Sequence, residues 1–195
     1  SVGLPFCRVG KIAINSSNNI FTAEWGLGRS VDEGRTWETI NNGLANYEIN
    51  AFTIKKDGTI FCGAGQNSSN PGLIFRSTDN GNSWMRTDAG IPQSSHLRSM
   101  AVDTDGNMYA GTSHDGVYKS TNNGNSWFNI GSVNEARGLA FNSTGDFFLA
   151  SYGQGIWKLP AGGAIWVDLT ANYGGNYIFS FFIGTNDYLY ADGKR

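Results

Sequence analysis

Short apolar segments alternate with turns that contain Asn, Asp or Gly along the whole chain. Segments such as 51–54 and 100–102 are apolar and partly β-branched, which is typical of strands buried on both faces. Turns followed by an apolar pair occur at 18–21, 57–61, 105–109, 144–148 and 186–190. Since Asn and Gly tolerate the positive φ of tight hairpins, each turn is predicted to join two antiparallel strands. No window shows a sustained helical period with caps.

An octapeptide that ends in tryptophan recurs in phase with these turns. We call its copies the box segments. Three copies align without gaps, and their shared positions are Ser30, Asp32, Gly34 and Trp37; Ser77, Asp79, Gly81 and Trp84; and Ser120, Asn122, Gly124 and Trp127. A decayed fourth copy keeps Gly163 and Trp166. The two signals together define a unit of roughly 40–45 residues, the period of a β-propeller blade.

Each unit is predicted to hold four antiparallel strands, named A to D. Strand A precedes the Asp-Gly-type turn and strand B follows it. Strand C is a Gly-aliphatic-aromatic-basic segment, as at 116–119 and 155–158, and strand D begins at the box tryptophan. Because a lone blade leaves both faces of its sheet apolar, the blades must stack around an axis. The predicted fold class is therefore all-β, a β-propeller of four-stranded antiparallel blades.

The predicted blades do not complete a closed propeller. One propeller domain over 1–195 contains blades at about 9–44, 49–90, 97–132 and 137–170, and then strands A and B of a fifth blade at about 177–193. Closure hides edge strands, so a closed propeller has no half-blade. We expect an arc of a larger propeller. The alternatives are that residues 1–9 complete the fifth blade, or that missing blades come from a partner in an oligomer.

The box segments, of pattern S-x-D-x-G-x-[TS]-W, resemble the Asp-box or BNR repeat, and the chain looks like the Asp-box β-propeller families. These include sialidases, xyloglucan-degrading glycosidases, sortilin-type receptor ectodomains and the photosystem II assembly-factor group. Segment 43–50 resembles, more loosely, the propeller repeats of bacterial sensor ectodomains. The resemblance implies an exported protein, either secreted or at the periplasm or cell surface. It does not select an activity, because this fold hosts many functions.

The carboxylates of the box segments are expected to build turns rather than to catalyse. An Asp or Asn at this position accepts hydrogen bonds from turn amides, and the tryptophan anchors strand D. Asn122 replaces the aspartate in the third copy, which suits a hydrogen-bonding role and would disable a general acid.

Ligand binding is expected at the other edge of the sheets. The regular turns and box segments share one edge in an up-and-down sheet, so the irregular B–C and D–A connections share the other, and variable loops on a rigid scaffold carry function. Aromatic rings there would stack on sugar C–H groups while amides bind hydroxyls. The candidate ligand-binding residues are Trp25, Tyr47, Gln66, Asn67, Arg98, His114, Asp115, Arg137, Tyr152 and Gln154.

Two arginines in this set share a register. Arg98 and Arg137 each lie eight positions before the glycine of the following turn, at the start of strand A. Two guanidiniums there could clamp a carboxylate or sulfate. Alternatively, they form local ion pairs, for example with Glu135. A second regularity is a basic residue on strand C of each blade, at Arg29, Arg76, Lys119 and Lys158, which predicts a solvated stripe that discourages edge pairing.

Composition narrows the function classes further. With 14 Lys and Arg against 16 Asp and Glu, the net charge of −2 argues against nucleic-acid binding. The longest apolar run, 177–183, is too short to cross a membrane, so no membrane insertion is expected. Cys7 and Cys62 lack metal-binding spacing and are expected to be buried thiols, although a bridge stays open. No motif for a metal or cofactor is present, and we expect neither.

The favoured function is a non-catalytic binding or scaffold module with a glycan or protein ligand. Sialidases of the resembling families use an Arg-Ile-Pro segment, whereas the single Ile-Pro here, at 91–92, follows Gly90. A glycoside hydrolase or polysaccharide lyase of which this chain is a part is the first alternative. Asp88 and Asp115 lie on the candidate edge, but their spacing does not single them out. The ectodomain of a bacterial sensor is the second alternative.

Overall fold

A computed structural model describes residues 3, 10–23, 25–44, 48–64, 73–131, 133–170 and 177–194. Within these residues the chain forms eighteen β-strands, arranged in four four-stranded sheets and one two-stranded sheet. Neighbouring strands are antiparallel and follow chain order within each sheet. The all-β propeller predicted from the repeat is confirmed, and each four-stranded sheet is one blade.

The chain divides into two compact units. The first contains Ser1–Leu97 and Gly124–Ser126. Its first sheet consists of β1 (Lys11–Ile14), β2 (Ile20–Ala23), β3 (Leu27–Ser30) and β4 (Glu38–Thr39). Its second sheet consists of β5 (Ile49–Ile54), β6 (Ile60–Ala64), β7 (Leu73–Ser77) and β8 (Met85–Arg86).

The second unit contains Arg98–Asn123 and Trp127–Arg195. The third sheet, whose first residue belongs to the first unit, consists of β9 (Leu97–Val102), β10 (Met108–Thr112), β11 (Val117–Ser120) and β12 (Phe128–Gly131). The fourth consists of β13 (Ala136–Phe141), β14 (Phe147–Ser151), β15 (Gly155–Leu159) and β16 (Val167–Asp168). The two-stranded sheet consists of β17 (Tyr177–Ile183) and β18 (Leu189–Lys194).

Local side-chain chemistry explains the hairpin that opens each sheet. Between β9 and β10, the Asp103 carboxylate accepts hydrogen bonds from the backbone N–H groups of Asp105 and Asn107, at 3.0 and 2.8 Å. Asn142 closes the corresponding turn of the fourth sheet by accepting from the Asp146 N–H at 2.8 Å. These bonds satisfy the turn amides and fix the register of the two strands they connect.

The core is built mainly from the second strand of each sheet. Every residue of β6 and β10 is buried, including Phe61 and Met108. The expectation that strands are buried on both faces fails for β1, where Ile12 and Ile14 are 67% and 61% exposed. The D strands also begin one residue later than predicted, since β4 starts at Glu38 and β8 at Met85, directly after the box tryptophans.

Three A strands contain a β-bulge at the same place. The pairing of strand A with strand B skips one residue in β5, β13 and β17, and the extra residues are Asn50, Arg137 and Phe179. A bulge bends its strand and changes the direction of the extra side chain. In the sequence these positions are equivalent only in their distance from the next turn. The structure shows that they are equivalent because each is the extra residue of a bulge.

Candidate functional site

The bulge of β13 places Arg137 beside an acidic residue with an unusual backbone. Glu135 lies two residues earlier and has φ of +48°, the left-handed region that side chains other than glycine seldom adopt. Its backbone N–H donates to the Ser113 carbonyl at 2.9 Å, and its carbonyl accepts from the Tyr152 N–H at 3.0 Å. These two bonds hold Glu135 between the third and fourth sheets and compensate for the strained backbone.

The Glu135 carboxylate pairs with both arginines of the candidate set. Arg98 Nη2 lies 3.5 Å from Glu135 Oε1, and Arg137 Nη2 lies 3.1 Å from Oε2. Arg137 Nε also donates to Oε2, at 3.2 Å. The three side chains are 23%, 38% and 24% exposed for Arg98, Arg137 and Glu135, so the group is open to solvent. A ligand carboxylate would compete with Glu135 for these guanidiniums.

Arg137 packs on one of three aromatic rings that contact each other in series through Tyr152. The Arg137 guanidinium lies 4.5 Å from the centroid of the Tyr152 ring, which is within cation–π distance. Tyr152 in turn contacts Tyr177 and Phe179, with centroids 5.0 and 5.6 Å apart, and all three rings are partly exposed. We call Arg98, Glu135, Arg137, Tyr152, Tyr177 and Phe179 the strand-start cluster. It offers stacking faces beside charged donors and an acceptor.

Other predicted residues lie near this cluster but are used by the scaffold. His114 Nδ1 is hydrogen-bonded to Ser113 Oγ at 2.7 Å. The Asp115 N–H donates to Thr112 Oγ1 at 3.0 Å, which closes the loop between β10 and β11. Gln154 Oε1 accepts from the Asn134 N–H at 2.8 Å. These contacts shape the connections around the cluster.

The other described candidate, Trp25, is in the first unit. It is 59% exposed in the connection between β2 and β3. Tyr47, Gln66 and Asn67 lie outside the described residues, as does Cys7, so their roles stay predictions. The Asp88 carboxylate accepts from Arg86 Nε at 2.7 Å and is largely buried.

The box carboxylates are engaged within their own turns. Asp32 accepts from the N–H and Oγ1 of Thr36, at 2.8 and 2.6 Å, and from Ser30 Oγ at 2.8 Å. Hydrogen bonds from Thr36 lower the pKa of Asp32 to about 2. Asp79 accepts equivalent bonds from Ser83 and Ser77, and the bonds from Ser83 lower its pKa to about 2. Such groups stay ionised near neutral pH and make poor general acids.

The basic residues of strand C do not form a solvated stripe in the first unit. Arg29 is only 9% exposed, and it donates to the Asn80 carbonyl and to Asn82 Oδ1 in the following box segment. Arg76 Nη1 donates to Asn125 Oδ1 of the third box segment at 3.0 Å. The sequence prediction was wrong here because these arginines have acceptors in the next blade, which strand patterning alone does not show.

The described part of the chain shows neither a metal-binding group nor a membrane-spanning helix. It contains no group of three or more His, Cys, Asp or Glu side chains placed to hold a metal ion. Nor does any helix there have the length and apolar character to span a bilayer. Cys62 is a fully buried free thiol, and burial raises its pKa.

Sequence reasoning selected Arg98, Arg137 and Tyr152 but missed Tyr177 and Phe179. Both lie in the predicted half-blade at about 177–193, where the sequence indicates only strand residues. The signal that identifies Phe179 is its register position relative to the next turn. Phe179 occupies the same bulge in β17 that Arg137 occupies in β13, so both belong to one structural set.

Repeated sheets of four antiparallel strands, with charged and aromatic side chains at the strand starts, define a β-propeller domain. More specifically, the chain belongs to the family of the DUF6242 beta propeller domain, whose model matches residues 34–172. No curated protein matches the chain.

Solved structures with low sequence identity share this fold. A structure of YCF48 bound to D1 peptide has a TM-score of 0.74 at 15% identity, and the match covers 98% of this chain and 62% of that one. The extracellular domain assigned to the hybrid two component system BT3049 of B. thetaiotaomicron has a TM-score of 0.76 at 15% identity, with 96% and 26% covered.

A third similar structure is PorZ, a surface component of the type-IX secretion system of Porphyromonas gingivalis. Its TM-score is 0.68 at 15% identity, and the match covers 94% of this chain and 30% of PorZ. The chain thus spans less than two thirds of each of the three structures. The neighbours include extracellular sensor domains and a bacterial surface component.

Proposed function

We propose that the protein is an exported, non-catalytic binding module whose strand-start cluster recognises an acidic glycan. The observation that carries the proposal is the shared Glu135 carboxylate, which holds Arg98 and Arg137 at 3.5 and 3.1 Å beside the partly exposed rings of Tyr152, Tyr177 and Phe179. Export is supported by the extracellular and surface neighbours.

The chemistry of a uronic acid matches these groups. A sugar ring stacks its C–H groups on an aromatic face, and its carboxylate takes a bidentate bond from a guanidinium. The Glu135 carboxylate would then accept bonds from ring hydroxyls. Since Arg137 is also oriented by the Tyr152 ring, little side-chain freedom is lost when the ligand carboxylate replaces Glu135.

Calorimetric titration with a uronic-acid oligosaccharide and with its neutral counterpart tests the proposal. Binding should prefer the acidic ligand, and Arg137→Gln and Tyr152→Leu should each weaken it by about fivefold to tenfold. Arg35→Gln is the matched control, because Arg35 also pairs with a glutamate, Glu33 at 3.1 Å, in the first box segment. Equal affinity for the two ligands, or full binding by both cluster variants, contradicts the proposal.

A peptide ligand is the second candidate. Tyr152 and Tyr177 are joined by an isolated antiparallel bridge outside the regular ladders, so extended backbone already pairs at the cluster. The similar structure of YCF48 is described with a bound peptide. A peptide array that shows binding sensitive to Arg137→Gln, with no glycan binding, would favour this candidate.

The same titrations examine the alternatives of a larger enzyme and of a sensor ectodomain. A glycoside hydrolase or polysaccharide lyase would convert the acidic oligosaccharide, which chromatography of the mixture after incubation detects. Binding without conversion supports the binding module. A sensor would couple ligand binding to a response of the full-length protein, which reporter expression in the native organism measures.

A further inference from the structure

The fourth sheet borders a cavity at the opposite end of β13 from Arg137. Its volume is about 500 Å³, within the range of sites for small ligands. Five aromatic residues line it, Tyr109, Phe128, Phe141, Phe147 and Trp166, and all but Phe128 form one chain of ring contacts. Neighbouring ring centroids are 4.6 to 5.4 Å apart. These rings belong to the second unit.

The decayed fourth box segment explains why this cavity exists. In the first unit, box glycines lie directly on the preceding sheet, since a Cβ at Gly124 would be 2.7 Å from Phe61 Cε1 and one at Gly81 would be 2.5 Å from Ile40 Cδ1. For a Cβ at Gly163, the equivalent glycine of the fourth copy, the three nearest atoms all belong to Pro160 of its own turn, at 3.0 to 3.5 Å. This turn has lost the serine and aspartate that tighten the other copies. It stands away from Tyr109, the counterpart of Phe61, and leaves the space open.

The same loss leaves a lysine with no acceptor in the following box segment. Lys119 is the counterpart of Arg29 and Arg76, which donate to Asn82 and Asn125 there. The fourth copy has no asparagine, and among the described residues Lys119 has no acidic partner. Its Nζ lies 5.2 Å from the Tyr109 ring centroid at the cavity wall.

The lining fixes the chemistry of the occupant. Apart from Lys119, the side chains that line the cavity are aromatic or aliphatic, with the Tyr109 hydroxyl already donating to Asp103 Oδ2 at 3.0 Å. In the described part of the chain, Trp166 Nε1 makes no hydrogen bond. The side-chain groups at the cavity are therefore one cation, the Trp166 indole and four further aromatic rings. A flat ring with one anionic substituent fits both the cation and the aromatic rings.

We infer that this cavity binds a small planar aromatic anion, such as an aryl carboxylate or sulfonate, with its charge at Lys119 and its ring among Tyr109, Phe147 and Trp166. The site is separate from the strand-start cluster and does not depend on the function proposed for it. It also lies on the regular edge of the sheets, where the sequence predicted only architecture.

Two fluorescent probes that differ by one charge test this inference. These are 1-anilinonaphthalene-8-sulfonate and the neutral N-phenyl-1-naphthylamine. We expect saturable binding of the sulfonate at one site per chain, with a shift of the Trp166 indole N–H signal in NMR spectra that Trp166→Phe assigns. Lys119→Met should weaken sulfonate binding about fivefold and change binding of the neutral probe less than twofold. Lys56→Met, at an exposed turn position, is the matched control and should change neither.

A second variant keeps the test independent of charge. Ala161 is exposed, and its Cβ lies 3.6 Å from the Cβ position of Gly145, which lines the cavity. Ala161→Phe should fill the space and weaken both probes at least tenfold, with an unchanged far-ultraviolet circular dichroism spectrum. Binding of both probes by folded Ala161→Phe as in the parent protein would overturn the inference. Loss of both probes to the same extent in Lys119→Met would also overturn it.

Discussion

Arg137 lies with its guanidinium 4.5 Å from the centroid of the Tyr152 ring while its Nε and Nη2 donate to Glu135. The arginine is therefore oriented by a ring and a carboxylate at once. Glu135 also holds the residue that carries this ring, because its carbonyl accepts a hydrogen bond from the Tyr152 N–H. Glu135 therefore contributes to the cluster twice, through its carboxylate, which pairs with the arginines, and through its backbone, which supports Tyr152.

The side chain of Glu135 is expected to stabilise the protein, whereas its left-handed backbone conformation is expected to destabilise it. Glu135→Ala removes both ion pairs and keeps the left-handed strain, so its free energy of unfolding should fall by about 1 kcal/mol. Glu135→Gly loses the same ion pairs but relieves the strain, and should be more stable than Glu135→Ala by about 1 kcal/mol. Urea unfolding measures both values. If Glu135→Ala is as stable as Glu135→Gly, the inference that the backbone at Glu135 is strained is wrong.

Asp79 should make stability fall in acid. Its pKa is about 2 in the folded protein against an ordinary value of 3.8, so its contribution to stability is present above pH 3.8 and is lost as pH falls through 2. Asp79→Asn, which copies the residue of the third box segment, lacks this dependence. The stability difference between parent and variant, measured by urea unfolding, should therefore shrink from pH 5 to pH 2. Asp192→Asn, at an exposed position, is the control and should keep the parent's acid dependence. A constant difference for Asp79→Asn would contradict the assignment.

Gly43 and Gly58 form a matched pair that separates contact from backbone strain. Both have positive φ, at +91° and +86°. A Cβ on Gly43 would lie 2.5 Å from the Trp84 carbonyl oxygen, while a Cβ on Gly58 would meet no atom within 4 Å. Gly58→Ala should cost about 1 kcal/mol of unfolding free energy, and Gly43→Ala about 2–3 kcal/mol. Thermal or urea unfolding checks the order, and equal losses would show that the turn moves away from Trp84.

Two box tryptophans should differ in what they stabilise. Trp84 is buried and its Nε1 donates to the Ile40 carbonyl in the preceding sheet at 2.7 Å. Trp37 donates to Gly34 within its own turn at 3.1 Å and is only partly buried. Trp84→Phe leaves a buried carbonyl without its partner and should cost about 2 kcal/mol, whereas Trp37→Phe should cost less than about 1 kcal/mol. Similar losses in urea unfolding would contradict the difference in burial.

The fold could be predicted because its signals are local. A turn such as 103–107 is closed by its own Asp103 side chain, and a box turn by its own serine and aspartate, so residue type and spacing already contain the interactions. Repetition of these turns then gives the strand order.

The site was only partly predictable because its geometry depends on distant residues. The arginine register was visible, but the bulge at Arg137 depends on how β13 pairs with β14, and the backbone of Glu135 depends on bonds to Ser113 and Tyr152. The roles of Arg29 and Arg76 likewise depend on side chains about fifty positions away. The cavity could not be predicted because the sequence of the fourth box segment shows only that the motif residues are absent, not that a space opens beside them.

The equivalent bulges of β5, β13 and β17 hold Asn50, Arg137 and Phe179, which are an amide, a cation and an aromatic ring. Since the extra residue of a bulge does not set the register of its ladder, its chemistry can change while the sheet stays intact. These three sheets thus each offer one exchangeable position, at which evolution or an engineer can alter ligand preference by a single substitution.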